Sequence, residues 1–197
     1  MTKKTFPLLI LYFSISAFAP SVQAASYTYD QAHSRVEFIL KHLNLVTVHG
    51  HFKIFSGKSR FDARDIENSE VTIEIKAASA VSGNKVRDGH LRSEKFFDAK
   101  KNPWIQFVSR KFVKINETRF IIEGDLTIRG IKRPAFFQTE LLTHPGKITG
   151  KAPLSFTAST FIKRKDYQLG TADWSDPIMF LTNETLEIRL EVECFPA

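Results

Sequence analysis

The chain is short of the residues that would staple it or arm it. One cysteine, Cys194, stands among 197 residues, so no intrachain disulfide can form, and its place near the C-terminus points to a buried thiol rather than a nucleophile. Two tryptophans and four tyrosines accompany eighteen phenylalanines, which leaves the aromatic content mostly hydrocarbon with no polar handle. There is no Gly-x-Ser-x-Gly elbow, and no phosphate-cradling glycine loop or dinucleotide fingerprint. No basic run is interleaved with aromatics, which argues against a nucleic-acid partner. These absences remove the commonest nucleophilic and nucleotide-dependent chemistries.

Long apolar runs are also scarce. The one that exists, Phe6 to Ala19, is shorter than the ~20 residues a membrane helix needs. It follows Lys3 and Lys4 and precedes Val22-Gln23-Ala24, the order of a secretory signal peptide over residues 1–24, with cleavage expected after Ala24 or Ala25. The remainder, residues 25–197, has the length of one domain. The whole chain is 43% hydrophobic and 25% charged, a folding composition. Without Lys3 and Lys4, 26 basic residues face 21 acidic ones. That excess is modest, compatible with a solvated exterior or with a weak, transient attraction to anionic membrane surfaces.

Period-two alternation dominates the chain beyond the leader. Val36, Phe38 and Leu40 share one parity within Tyr27–Leu43, and Val48, Gly50, Phe52 and Ile54 share one within Val46–Ser56. Phe55 and Gly57 then break the pattern, as a bend would. Further strands are expected over Val71–Ala77, Trp104–Ile115, Arg119–Ile128, Ala135–Thr143, Ile148–Ile162 and Thr185–Cys194. A hairpin signal stands at Asn116-Glu117, Arg129-Gly130 ends the next strand, Pro145-Gly146 makes a turn, and a long irregular connection runs over Lys163–Asn183.

The period changes once, between Ser82 and Ser109, where Val86, His90 and Leu91 fall at helical spacing. A short helix near residues 84–94 is expected, capped by Asn84 and carrying an Asp88–Arg92 ion pair at i,i+4. The fold is therefore read as all-β: eight antiparallel strands and one helix, closed into a barrel, with a sandwich as the competing architecture.

Fifteen phenylalanines remain after the leader, and small residues such as Gly50, Ala152 and Ala158 interrupt the inward faces. An apolar tunnel is one outcome, holding a hydrocarbon at about 0.8 kcal/mol per methylene. Arg87 and His90 would meet a headgroup at the mouth. His49 and His51 share a solvent face with nothing placed to complete a metal site.

Several ordered motifs resemble the YceI-like family. They are Asp30-x-x-His33-Ser34-x-Val36-x-Phe38, Lys41-His42-Leu43, Val48-x-Gly50-x-Phe52-x-x-Phe55-x-Gly57, Phe61-Asp62, Gly83-Asn84-x-x-Arg87-Asp88-x-His90-Leu91-Arg92-Ser93, Phe96-Phe97-Asp98, Pro103-x-Ile105-x-Phe107-x-Ser109 and Gly124-x-Leu126-Thr127-Ile128-Arg129-Gly130. The resemblance implies a lipocalin-like barrel, periplasmic or secreted, that binds a polyisoprenoid or similar amphiphile without catalysis or cofactor.

The expected function is that of a monomeric or homodimeric carrier of an isoprenoid such as a quinone or prenyl phosphate. Its tail would lie along Val36, Phe38, Leu40, Phe52, Phe107, Phe156 and Ala158. Two other readings stand beside it: an enzyme acting on a lipid headgroup with Asp88 and His90 as acid and base, and a structural protein with a filled barrel.

Overall fold

Each wall strand buries one parity of its side chains and exposes the other, the pattern of a curved sheet wrapped around an apolar interior. Within Arg119–Ile128, Phe120, Ile122, Leu126 and Ile128 are buried, with the small Gly124 filling the remaining inward position. The computed structural model describes residues 24–42, 45–62, 65–144, 148, 151–170 and 182–197. The expected signal sequence lies outside the described residues, apart from Ala24.

In chain order the strands are β1 (Ala25–Tyr29), β2 (Arg35–His42), β3 (Val46–Phe52), β4 (Phe55–Phe61), β5 (Glu70–Lys76) and β6 (Ala80–Val81). Helix α1 (Lys85–Arg92) comes next, then β7 (Trp104–Lys114), β8 (Arg119–Ile128), β9 (Ile131–Leu141), β10 (Leu154–Lys163) and β11 (Thr182–Pro196). A ring closes through β1, β4, β5, β7, β8, β9, β10 and β11, with β11 pairing back onto β1. β2 pairs with both β11 and β3, and β3 with β6. Eleven segments thus make eight wall strands, because β1/β2, β3/β4 and β5/β6 are each one strand broken by a bend. Among the described residues, the expected eight-stranded antiparallel barrel with one short α-helix is what forms.

The bends have local causes. Between β1 and β2, one Asp30 carboxylate oxygen accepts from the Ala32 amide at 2.8 Å while the other meets His33 Nδ1 at 2.5 Å, a side-chain turn that stops the ladder. The other two bends are stitched together. Ser79 Oγ accepts from the Ile54 amide at 3.1 Å and donates to the Lys76 carbonyl at 2.7 Å. The single strand expected over Tyr27–Leu43 is therefore two, whereas the bend expected near Phe55 lies at Lys53–Ile54.

Turn chemistry fixes the hairpins. Arg129 and Gly130 take positive φ of 54° and 74°, the two-residue turn whose twist suits a hairpin. Asn116 Oδ1 accepts from the Thr118 and Arg119 amides at 3.0 and 2.8 Å.

The starts of β9, β10 and β11 differ most from expectation, β11 beginning at Thr182 and not at Thr185, and the turn expected at Pro145-Gly146 lies outside the described residues. β9 begins at Ile131 and carries Pro134 inside it. β10 pairs with β9 only over Gln138–Leu141, so the edge beside Pro134 is open and its missing N–H interrupts no pairing with β10. β10 itself begins at Leu154, after Pro153, and not at Ile148. The long connection after Lys163 opens with a 3₁₀ turn at Arg164–Tyr167; its residues 171–181 lie outside the described residues.

Topology separates two ends. At one lie the β2–β3 tip, the excursion from Ala77 to Pro103, the Arg129-Gly130 turn and residues 164–170. At the other lie the connections 62–69, 115–118 and 142–153.

Candidate functional site

β6 and β7 are not paired, and the wall between them is completed by α1 and the turn after it. Asn84 Oδ1 caps the helix as expected, accepting from the Val86 and Arg87 amides at 3.0 and 3.1 Å. The expected Asp88–Arg92 ion pair does not form among the described residues. Asp88 is buried and accepts from the Ser82 amide and hydroxyl at 2.7 and 2.6 Å, while Arg92 donates to the Ala80 carbonyl at 3.3 Å. Buried amide and hydroxyl donors outcompete an exposed ion pair worth a few tenths of a kcal/mol.

Leu91 anchors the helix to the core, and the chain then carries Phe96 and Phe97 inward. Phe97 packs at ring-centroid distances of 6.2 Å from Phe38, 5.5 Å from Phe52 and 4.8 Å from Phe96. Beneath this aromatic cluster is a cavity of about 40 Å³ with no polar lining. Val36, Phe38, Phe52, Ile73, Ile75, Ile105, Phe107, Leu126, Ile128, Phe137, Ile162, Leu186, Ile188 and Leu190 line it from strands. Among the described residues, Phe97 and Leu169 are the two that reach it from connections.

Those two connections are tied together as a lid. The Gly170 amide donates to the Lys95 carbonyl at 2.8 Å. Arg129 spans the pair, donating to the Phe96 carbonyl at 3.0 Å and the Gln168 carbonyl at 2.8 Å. Below, Arg164 is buried and donates toward the Leu169, Asn183 and Gly170 carbonyls. Burial lowers its pKa from the ordinary arginine value, a shift partly offset by the nearby Glu184 charge. Burial pushes the Tyr167 phenol the other way, up to about 12, so the phenol keeps its proton at neutral pH.

Of the residues expected along a tail, Val36, Phe38, Phe52 and Phe107 line this cavity. Leu40 is half-buried, packed on the core opposite Leu186. Phe156 is buried at the other end against Tyr29, ring centroids 6.1 Å apart. Ala158 is buried in the wall opposite Leu190. Small inward residues do not open a tunnel here. The position a Gly50 Cβ would take is filled by the Phe38 ring, and Phe107 fills that of Gly124.

Of the two expected headgroup residues, Arg87 is held by Ser82, donating to its hydroxyl at 2.8 Å and its carbonyl at 2.7 Å. His90 is exposed on α1. Asp88 faces inward to Ser82 and His90 outward, two positions apart on a helix, which does not assemble an acid–base pair. What the arrangement can do chemically is exclude water and hold hydrocarbon. Of the lid residues, Phe97 and Arg129 stand in the quoted motifs without a lid role, and Leu169 was not named from sequence. The signal available for the first was a Phe-Phe pair directly after an amphipathic helix.

The family model described as the YceI-like domain matches residues 27–194. A UPF0312 protein from Pseudomonas putida strain W619 is 30% identical over 195 residues, covering 98% of this chain and 97% of that one. One from Photorhabdus laumondii is 34% identical over 151 residues, covering 76% and 78%. Among solved structures, Burkholderia cenocepacia BcnA superposes with a TM-score of 0.75 at 25% identity, covering 84% of this chain and 98% of that one. A Campylobacter jejuni YceI protein gives 0.67 at 31%, covering 78% and 87%. A polyisoprenoid-binding domain from Saccharophagus degradans gives 0.65 at 14%, covering 89% and 100%, a likeness of fold alone.

Proposed function

The chain belongs to the YceI-like domain family, and from that premise we propose that it is a non-enzymatic periplasmic protein, exported by cleavage after Ala24 or Ala25, that holds an isoprenoid chain inside its barrel. The observation that carries this reading is the lining: among the described residues every side chain around the cavity is apolar, and two of them, Phe97 and Leu169, stand on connections and not in the wall. The polyisoprenoid binding of the Saccharophagus degradans domain supports the choice of ligand class. A quinone or a prenyl phosphate fits it, the tail along Val36, Phe38, Phe52 and Phe107 and, as the chain lengthens, Leu40, Ala158 and Phe156. Arg87 and His90 stand on the helix nearest the lid for a headgroup.

The energetics require displacement. A cavity of about 40 Å³ is far below the roughly 300–1,000 Å³ of pockets that hold small-molecule ligands. Turning a buried Phe out costs about 1.5–3 kcal/mol, whereas burying one five-carbon prenyl unit gains on the order of 3 kcal/mol. One unit merely offsets Phe97; a chain of several units wins.

That same small volume favours a second reading, a structural protein with a permanently filled barrel. Organic extraction of protein purified from its native host, followed by mass spectrometry, separates the two. The carrier yields a stoichiometric isoprenoid. A protein that yields none, and takes up none from added prenyl alcohol, is the filled barrel.

A further inference from the structure

The lid end of the barrel carries a surface that the hydrocarbon cavity does not use. Val86 points away from the core on α1 and is 70% exposed, and Leu45 and Val46 at the β2–β3 tip are 83% and 58% exposed. At the same end stand exposed cations: Lys41, Lys85, Arg92, Lys100 and Lys132. Among the described acidic residues of this end, Asp166 is exposed and Glu184 is held by Lys165 at 2.6 Å. Asp88 and Asp98 are buried and hydrogen-bonded within the fold, and Glu94 already faces Lys101 at 3.5 Å.

The opposite end has the reverse character. Among the described residues its connections carry Asp62, Asp65, Glu67 and Glu117 against Lys151, with Glu117 3.2 Å from Lys114 and the neighbouring Glu70 held by Arg60 at 2.7 Å. Among the described residues the two ends therefore differ in the sign of their charge. The basic end also carries the exposed Val86, Leu45 and Val46.

We propose that the lid end docks on an anionic bilayer surface, with Val86, Leu45 and Val46 entering the headgroup boundary and the surrounding lysines and arginines meeting lipid phosphates. Aliphatic side chains ringed by cations are the combination that interfacial binding needs, and each basic side chain near such a surface strengthens binding severalfold. Docked in this orientation, the lid over Phe97 and Leu169 faces the membrane from which a chain would enter. The inference rests on the carrier reading only for that last step; docking itself stands on exposure and charge.

The test is vesicle flotation of the mature protein with phosphatidylcholine vesicles, with and without phosphatidylglycerol, at low and high salt. Binding is expected only with phosphatidylglycerol, weakening as salt rises. The double variant Lys85→Glu/Lys100→Glu is expected to bind about tenfold more weakly or worse. Val86→Glu is expected to lose binding too. Lys111→Glu/Lys151→Glu makes the same change of net charge away from the lid end and is expected to bind as wild type does. Equal loss in that control, or no flotation of wild type, overturns the proposal. Lipid extracted from the same preparations separates this from the carrier reading. An isoprenoid present without flotation defeats docking alone, and flotation without any isoprenoid defeats the carrier while docking stands.

Discussion

Gly50 shows how a single missing side chain decides what the interior can be. A glycine on an inward parity reads as spare room, yet here the Phe38 ring occupies the space where a Cβ would stand. Gly50→Ala must push that ring against Phe52, 5.4 Å away centroid to centroid. Overpacking of this kind costs about 1–3 kcal/mol, so urea unfolding should show the midpoint fall with the m-value unchanged. A second residue-scale expectation concerns the first bend. The hydrogen bond and charge of Asp30 raise the His33 pKa above 6.5, and the His33 hydrogen bond first, with the Ala32 amide, lowers that of Asp30 below 3.8. The histidine's contribution is complete below 6.5 and lost as pH rises through its raised value. The carboxylate's is complete above 3.8 and lost as pH falls through its lowered value. The bend is accordingly best held between those two ordinary values. NMR titration should place the His33 midpoint above 6.5, returning toward it in Asp30→Asn.

At the scale of elements, the lid is a pair of turns held by few bonds, and Arg129 supplies two of them. Arg129→Ala removes both and leaves the Gly170–Lys95 amide bond as the backbone link between the turns. Side-chain-to-carbonyl bonds from a charged donor contribute about 1.5–3 kcal/mol each, so the lid should open far more often while the wall persists. Hydrogen exchange should report this as faster exchange at Phe97 and Leu169, with the β8 and β9 amides unchanged. An equal rise across β8 would show instead that Arg129 stabilises the barrel as a whole. The strands and α1 were legible in the sequence because each carries its own period, its cap at Asn84 or its turn at Asn116 and Arg129-Gly130. What was not legible depends on partners far away in the chain. Ser79 stitches a bend at Ile54, Asp88 turns to Ser82, and β9 tolerates Pro134 only because β10 leaves its edge. Likewise Val36, Phe38, Phe52 and Phe107 share a cavity as alternation predicts, but which inward residues face the lid and which lie at the far end, as Phe156 does, is set by closure of the ring.

For the whole molecule, the question is whether the interior is finished without a ligand. A barrel completed by its own side chains gains nothing from hydrocarbon, because every site open to a methylene is already occupied. A barrel whose lid yields gains the burial of each further prenyl unit, and that gain is linked to folding, since the unfolded chain has no cavity to offer. At a ligand concentration about a hundred times Kd, linkage adds about 2.7 kcal/mol to the unfolding free energy. In a domain of this size each kcal/mol raises Tm by roughly 2–4 °C, hence a rise of roughly 5–11 °C. Calorimetry of extracted protein, rescanned after titration with a prenyl alcohol in mild detergent, should show that rise. It should grow with the number of isoprene units until the chain outruns the space between Phe97 and Phe156. In Phe97→Ala the apo protein should melt lower, by the ~3–5 kcal/mol of a buried phenylalanine lost. Its ligand-dependent rise should be larger, because the chain no longer has to turn that ring out. A wild-type protein whose Tm ignores chain length, with Phe97→Ala merely less stable and equally indifferent, would be a barrel that its own phenylalanines had already filled.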